Sequence, residues 1–361
     1  MGAAGFLAGA GFLAGSVFLI AGSFLAVVCF LAGCQKSSGV ERFDAQFLNL
    51  FDTMTEIIGY AENKESFSKE VEKIHDKLYE YHVLYDIYND YEGIHNIKTI
   101  NDNAGIKPVK VDKKIIDLLL FGKEMFEKTK GKMNIAYGSV LTIWHEYRTK
   151  GLAEPKKAAL PGKEELEEAA NHADIDKMII DEEASTVFLE DEKMSLDVGA
   201  LGKGYAVEMV SNYAKEEGMH HLLISVGGNI AAIGTRGDGT KWKLGIQNPD
   251  KESEQAYVCK VKMENQSLVT SGSYQRYYVV NGKEYPHIID PDTGMPSQYF
   301  AGVSILSEHS GIADALSTAV YNMPFKEGKA LIEGLENTEA MWIYKDGRMD
   351  FTGGFKEYIA E

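Results

Sequence analysis

Two segments of the sequence carry residue types that suit an anion and a metal ion. The stretch from Asp197 to Ala206 places a carboxylate, glycines and Lys203 at the start of a predicted helix. Glycines let backbone N–H groups approach a phosphate closely, and a helix N-terminus favours an anion. The spacing is neither a P-loop nor G-x-G-x-x-G, so a glycine-rich helix start with a capping Asp stays open as the alternative.

The second segment contains Asp314 and Thr318, four residues apart among small and apolar residues. This spacing predicts that the two side chains share one face of a helix. A carboxylate and a hydroxyl oxygen are hard ligands of the kind Mg²⁺ prefers. The alternative is a capping role for Asp314, with the Thr318 hydroxyl bonded back to a carbonyl of its own helix.

Two further segments predict sharp turns. His287 ends an apolar run just before residues 290–294, whose sequence Asp-Pro-Asp-Thr-Gly is typical of a turn. Such a turn would expose His287 at the rim of a sheet, where it could act as a general base, although a structural role is the alternative. The Gly-Gly-Asn at 227–229 follows a predicted strand and indicates a tight turn, or a bulge beside a ligand.

Composition excludes several classes of function. The chain has 37 Lys and Arg against 54 Asp and Glu, a formal net charge of −17. This charge argues against binding of nucleic acid, which needs basic side chains to displace counterions. The sequence also lacks the H-E-x-x-H, G-x-S-x-G and Cys–His spacings of zinc and serine hydrolases. An anionic ligand therefore needs a helix N-terminus or a metal ion to hold it.

The elements that position these segments follow from periodicity and capping. Helices are predicted over 66–86, 112–131, 164–170 and 202–217. Strands are predicted over 221–226, 241–247, 257–263, 276–280, 303–306 and 340–344. Irregular alternation with strands clustered late in the chain indicates an α+β fold, a single domain over 44–361 whose largely antiparallel sheet is flanked by helices.

The N-terminal segment has a different character. No charged side chain precedes Lys36, and residues 2–33 alternate Gly and Ala with large apolar residues. Residues 1–33 are therefore predicted to be a signal peptide or membrane anchor, followed by a linker over 34–43. Small residues before Cys34 resemble a bacterial lipobox, which implies acylation of Cys34; an uncleaved anchor is the alternative. Both interpretations place the acidic domain outside the cytoplasmic membrane and tethered to it.

The order of the motifs carries more information than any one of them. Together they resemble the ApbE family of FAD:protein FMN transferases over roughly residues 45–355. Looser matches upstream are Phe-Asp-Thr at 51–53, Ile-Asn-Asp-Asn-Ala-Gly at 100–105 and Gly-Lys-Met-Asn at 131–134, where Asn134 stands in place of an expected Asp. The core of the resemblance is Asp-x-Gly-x-x-x-Lys-Gly from 197, Gly-Gly-Asn from 227, Thr-Ser-Gly-Ser-x-x-Arg-Tyr from 270, His-Ile-Ile-Asp-Pro-x-Thr-Gly from 287 and Ala-Asp-Ala-x-Ser-Thr-Ala from 313.

The resemblance implies an ApbE-like, T-fold-like domain that takes FAD, attaches FMN to a Thr hydroxyl of a membrane protein and releases AMP. It implies that Mg²⁺ is held by the side chains of Asp314 and Thr318 and the backbone carbonyls of Ala200 and Gly311. His287 is the expected base, because a hydroxyl is a poor nucleophile without one. The residues expected to contact the flavin nucleotide are Asn101, Met133, Asp197, Lys203, His287 and Ile288.

The resemblance also suggests partners. The expected acceptors are extracytoplasmic subunits of membrane redox complexes of the Na⁺-translocating quinone reductase or Rnf type. Two other functions fit the same sequence: a Mg²⁺-dependent FAD pyrophosphatase that gives FMN and AMP, and a non-catalytic lipoprotein that binds flavin.

Overall fold

The computed structural model describes residues 39–274 and 276–360. The predicted leader and Cys34 lie outside this part of the chain. The helices are α1 Lys64–Tyr85, α2 Ile97–Asn101, α3 Lys113–Lys128, α4 Gly138–Ala153, α5 Lys163–Ala170, α6 Gly202–Glu216, α7 Ser310–Tyr321 and α8 Phe325–Glu333. The strands are β1 Glu41–Leu50, β2 Thr53–Ala61, β3 Val109–Lys110, β4 Met178–Asp181, β5 Thr186–Leu189, β6 Leu222–Val226, β7 Asn229–Ile233, β8 Trp242–Gln247, β9 Tyr257–Met263, β10 Ser267–Gly272, β11 Tyr277–Val280, β12 Lys283–Pro286, β13 Ile289–Asp290, β14 Met295–Pro296, β15 Gly302–Ser307, β16 Thr338–Ile343 and β17 Met349–Phe351.

An eight-stranded antiparallel sheet forms the centre of the molecule, in the order β1-β2-β6-β7-β10-β15-β16-β17. Side chains alternate between its faces because successive residues of a strand point in opposite directions. In β2, Ile57 belongs to the main core under the helices, whereas Ile58 packs into a second core on the other face. The predicted α+β fold with a largely antiparallel sheet is confirmed.

Helices α6 and α7 cover the face of the sheet that carries the main core, and they also pack on each other. Helix α6 ends in a Schellman motif, since the N–H of Gly218 bonds to the carbonyl of Lys215 and that of Met219 to Ala214. Gly218 has a φ of 74°, which a residue with a Cβ rarely adopts. The sequence therefore fixes the end of α6 locally.

A smaller third core joins α4 and α5 to the β11–β12 hairpin. The hairpin turns through Asn281 and Gly282, whose φ values of 50° and 79° are those of a type I′ turn. This two-residue turn fixes the register, so that Tyr277 pairs with Pro286. Trp144 of α4 packs against Tyr278 with the ring centroids 6.4 Å apart.

The predicted helices and strands are found with ends shifted by one or a few residues. The β1–β2 hairpin is not among the predicted elements. Its first strand, β1, begins at Glu41, within the last residues of the predicted linker. Its alternation of Phe43, Ala45 and Phe47 toward the main core accounts for the strand. No helix in the described part of the chain is both long and apolar enough to cross a membrane.

Candidate active site

The loop before α6 is closed by its own side chains. The carboxylate Oδ1 of Asp197 accepts a hydrogen bond of 2.8 Å from the N–H of Gly199, and Lys203 Nζ donates to the Gly199 carbonyl at 2.8 Å. Asn101 holds the preceding residue, since its amide accepts from the N–H of Leu196 at 2.7 Å and donates to the Leu196 carbonyl at 3.0 Å. The position of Asp197 is therefore set from α2 as well as from its own loop.

The N-terminus of α6 is capped by a residue of α7. No side chain of the preceding loop caps α6, but the carboxylate of Asp314 accepts from the N–H of Gly204 at 2.8 Å. Gly204 allows this approach, because a Cβ at that position would lie 2.4 Å from Asp314 Cβ and 2.4 Å from the Ser310 carbonyl oxygen. The cap sits on the fifth residue of α7 and serves the neighbouring helix, not its own.

The surroundings of Asp314 suit a hard cation. Asp314 is 5% exposed, and no cationic side chain of the described residues forms an ion pair with it. Burial raises the pKa of Asp314, and the Lys203 ammonium and the Gly204 N–H oppose that rise. A buried carboxylate that carries a charge normally has a cation beside it. The predicted role of Asp314 as a metal ligand stays a prediction.

The other predicted ligands lie on α7 and in the loop before α6. Thr318 follows Asp314 by one turn of α7, which matches the predicted placement on one helix face, and it is partly buried. Ala200 lies two residues before the start of α6, and the N–H of Gly311 donates to the carboxylate of Glu208 on α6 at 2.9 Å. No group of three or more His, Cys, Asp or Glu in the described ranges could hold a metal. Hydroxyl and carbonyl oxygens beside one carboxylate fit Mg²⁺ better than zinc.

His287 lies across the base of the β11–β12 hairpin from Arg276. Its backbone N–H and its ring Nδ1 both lie 3.1 Å from the Arg276 carbonyl oxygen. A carbonyl only accepts, so Nδ1 carries the hydrogen and Nε2 of the neutral ring is free to take a proton. Burial lowers the pKa of His287 to about 3, and the charges of Arg276, Arg148 and Lys203 contribute. The imidazole is therefore neutral at physiological pH.

Lys203 connects the three motifs electrostatically. Burial is the largest influence on the pKa of Asp197 and of Asp314, raising both, and the Lys203 ammonium opposes the rise in each. The same ammonium adds to the lowering of the pKa of His287. The structure thus brings together segments that lie about a hundred residues apart in the sequence.

The remaining residues predicted to contact the flavin are buried in the core or bonded to the backbone. Met133 is 1% exposed and Ile288 is 6% exposed, and both side chains belong to the main core. The side-chain amide of Asn101 is engaged by the Leu196 backbone. Flavin contact by these residues stays a prediction, and for Met133 and Ile288 the backbone is the part better placed to make it.

The two predicted turns are confirmed. Gly227 and Gly228 have φ values of 56° and 92° and link β6 to β7 with Val226 paired to Asn229. In the turn at 290–294, the Gly294 N–H donates to the Asp290 carbonyl at 2.9 Å. Lys132 pairs with Asp290 at 2.8 Å and with Asp292 at 2.7 Å, which fixes the turn against the segment at 131–134.

Sequence reasoning missed Arg148 and His145 on α4, and it assigned no role to Arg276. Arg148 Nη2 donates to Nδ1 of His145 at 3.0 Å, and the His145 ring lies 5.5 Å from that of Tyr88. The turn at 281–282 could have placed Arg276 opposite His287, since it fixes the hairpin register. No local pattern indicates Arg148, because its neighbours come from the packing of α4 on the hairpin.

Comparison with known sequences agrees with the motif order. The sequence model of the ApbE family matches residues 51–342. The FAD:protein FMN transferase of Treponema pallidum (strain Nichols) is 30% identical over 277 residues, which are 73% of this chain and 74% of that protein. The protein of the same name from Haemophilus influenzae is 26% identical over 319 residues, 86% of this chain and 88% of that protein.

Solved structures share the fold. The ApbE protein of Thermotoga maritima superposes with a TM-score of 0.77 at 24% identity, covering 89% of this chain and 100% of that one. The flavin transferase ApbE of Vibrio cholerae gives 0.72 at 21% identity, covering 88% and 99%. From the matched residues, the identity to the Treponema protein and the shared motifs, the chain belongs to the ApbE family.

Proposed function

We propose that this protein is a Mg²⁺-dependent FAD:protein FMN transferase that attaches FMN through a phosphoester bond to a Thr of an acceptor protein and releases AMP. Relatives named FAD:protein FMN transferase support the transferase class. One observation carries the proposal: the charge of Lys203 acts on both His287 and the buried Asp314. His287 is neutral and its Nε2 is free to accept a proton. A base, a site for a cation and a fixed positive charge are the parts that a displacement at phosphorus requires.

The chemistry assigned to the residues is as follows. His287 Nε2 accepts the proton of the Thr hydroxyl while the Thr oxygen forms a bond to the FMN phosphorus. The bond from that phosphorus to the bridging oxygen breaks, and this oxygen leaves with AMP. Lys203 and the N–H groups at the start of α6 hold the pyrophosphate. Asp197 contacts FAD beside them.

The ligands proposed for Mg²⁺ are the side chains of Asp314 and Thr318 and the carbonyls of Ala200 and Gly311. Mg²⁺ held there would supply positive charge to the pyrophosphate, and a protein with a net charge of −17 has little positive surface to supply it otherwise. The buried carboxylate and the close approach that Gly204 permits both support this assignment.

The proposed setting is the extracytoplasmic face of the cell membrane, with Cys34 lipidated as the anchor. The acceptors are then subunits of membrane redox complexes of the quinone reductase or Rnf type. A tether of this kind would raise the local concentration of enzyme beside acceptors in the same membrane. Mass spectrometry of the purified chain tests the anchor, because acylation adds a diacylglyceryl mass at Cys34 and Cys34→Ala removes it.

One assay tests the reaction. The full chain is incubated with FAD, Mg²⁺ and a soluble acceptor domain, and released AMP is measured together with the mass of the acceptor. AMP in equal amount to flavinylated acceptor is the expected result. AMP with free FMN would instead identify a pyrophosphatase, and intact bound FAD would identify a flavin-binding protein without this activity. Thr318→Val removes the hydroxyl and should lower the rate, whereas Thr318→Ser should retain most of it.

A further inference from the structure

Two arginines from separate elements lie on the same side of the site. Arg148 is on the stripe of α4 that faces the β11–β12 hairpin, with Trp144 one turn before it and Gly151 one turn after it. A Cβ on Gly151 would lie 2.7 Å from the Tyr278 ring, so α4 and β11 are in close contact there. Arg276 directly precedes β11. The helix therefore brings Arg148 to the base of the hairpin where His287 and Arg276 face each other.

Both guanidinium groups are held by neutral partners. Arg148 Nη2 donates to His145 Nδ1 at 3.0 Å, and Arg276 Nη2 donates to the backbone carbonyl of Asp52 at 3.2 Å. Neither forms an ion pair with a carboxylate among residues 39–274 and 276–360. By contrast, Lys132, at the nearby turn, has two carboxylate partners. Neither guanidinium is therefore neutralised by a direct ion pair, although the Asp197 carboxylate is near enough to Arg148 to oppose the lowering of its pKa.

This arrangement is unusual for a chain with 54 acidic and 37 basic side chains. Burial lowers the pKa of Arg148, and the nearby charge of Arg276 lowers it further. Arg148 is partly buried whereas Arg276 is exposed, and the repulsion between their like charges is reduced when an anion binds beside them. Arg148 and Arg276 therefore offer positive charge to an anion on the His287 side of the site.

We propose that Arg148 and Arg276 bind the phosphate of the FMN half of FAD, the phosphate that is attacked. This inference rests on the proposed function. His287 has to lie beside the attacked phosphorus to take the proton of the incoming hydroxyl, and the arginine pair lies beside His287. A guanidinium fork matches the oxygens of a phosphate and is suited to the charge that develops on them. Lys203 and the metal site proposed at Asp314 would then hold the other phosphate of the pyrophosphate.

The test compares ligands with and without this phosphate. Binding of FMN and of riboflavin to the full chain is measured by flavin fluorescence in EDTA, so that neither metal nor turnover is needed. Arg148→Gln and Arg276→Gln should each weaken FMN binding by about 10- to 100-fold, the range for loss of a hydrogen bond to a charged group. Riboflavin binding should stay within about twofold of wild type, since riboflavin has no phosphate for the arginines to hold.

Two variants sharpen the measurement. Arg148→Lys keeps the charge but loses the planar fork, so an intermediate loss of FMN binding is expected. Lys150→Gln is the matched control, because Lys150 is on the same helix but is exposed and paired with Glu146 at 3.1 Å. This control should bind both ligands as the wild type does. Circular dichroism confirms that each variant is folded before binding is measured.

Several outcomes would overturn the inference. Equal losses of FMN and riboflavin binding would mean that the arginines shape the flavin pocket and hold no phosphate. Unchanged FMN binding in Arg148→Gln, or a wild-type chain that binds FMN no better than riboflavin, would refute it directly. A selective loss of FMN binding in a chain that transfers no flavin would support the phosphate site while refuting the transferase proposal, so the two failures are distinguishable.

Discussion

The carboxylate of Asp314 on α7 accepts a hydrogen bond of 2.8 Å from the backbone N–H of Gly204 in the first turn of α6. The two residues are 110 positions apart in the sequence. This bond joins the glycine-rich segment to the helix that carries the proposed metal ligands. It also places the Asp314 charge at the positive end of the α6 dipole, where an anion is stabilised.

Gly204→Ala should loosen this junction. The added Cβ would lie 2.4 Å from Asp314 Cβ and from the Ser310 oxygen, both on a packed helix that cannot move freely. We expect a loss of about 1–3 kcal/mol in the free energy of unfolding from overpacking, reduced by roughly 1 kcal/mol through the higher helix propensity of Ala. Urea denaturation measures the difference. Gly353→Ala is the control, because nothing lies within 4 Å of its Cβ position; equal stability of the two variants would contradict the close contact.

Asp314→Asn should separate metal binding from folding. Asn keeps an oxygen that can accept from the Gly204 N–H, but it removes a buried charge. Because burial raises the pKa of Asp314, the folded state binds its proton more tightly than the unfolded state, and the ionised form destabilises the metal-free protein near pH 7. We expect the metal-free Tm to rise by roughly 1–3 °C at pH 7.

The same variant gives two further readouts. The difference in metal-free Tm between Asp314→Asn and the wild type should shrink as the pH falls and Asp314 becomes protonated. Millimolar Mg²⁺ should raise the Tm of the wild type and leave that of Asp314→Asn unchanged. A variant that is still stabilised by Mg²⁺ would remove Asp314 from the set of proposed ligands.

The pH dependence of kcat/KM should reflect the low pKa of His287. This quantity reports groups of the free enzyme, and the pKa of about 3 keeps His287 neutral across physiological pH. We therefore expect no fall in activity through pH 6.5, the usual pKa of histidine, and an acid limb centred near pH 3. A limb centred near pH 6.5 would show that burial and the neighbouring cations do not control this group.

Replacing the base tests the same residue from another direction. His287→Gln should lower kcat by about 10²- to 10⁴-fold, the range for loss of general-base catalysis. His95→Gln is a matched control, since His95 also places Nδ1 against a backbone carbonyl, that of Lys110 at 2.8 Å. An unchanged kcat in His287→Gln would assign proton removal to another group.

Asn101→Ala should weaken the loop that carries Asp197. It breaks both side-chain bonds to the Leu196 backbone and leaves the N–H and the carbonyl of Leu196 without these partners. We expect a loss of about 1–3 kcal/mol in the free energy of unfolding and weaker FAD binding. Asn103→Ala is the comparison, because the Asn103 side chain donates to the nearby Thr99 carbonyl at 2.8 Å and so makes only a local contact. Denaturation and fluorescence titration measure the two effects, and equal behaviour of the variants would argue against the anchoring role of Asn101.

Local rules explain what could be predicted from the sequence. Asp112 caps α3 by accepting from the N–H of Lys114 at 2.8 Å, as its position before an apolar periodic run indicates. Gly218 ends α6, and the Gly-Gly turn joins β6 to β7. Each of these features depends on residues within a few positions of one another, so the sequence contains the information directly. The same holds for the i, i+4 placement of Asp314 and Thr318.

The partners across the site depended on tertiary structure. A capping role was open to Asp314 in the sequence, but the packing of α7 on α6 decided that it caps Gly204, on another helix. Likewise, Arg148 has no motif around it and reaches the site only because α4 packs on the hairpin. Hydrophobic periodicity shows which face of a helix is buried, but it does not show which element covers that face. The sequence by itself therefore determined the motifs and the local elements, and the tertiary structure decided which charges meet.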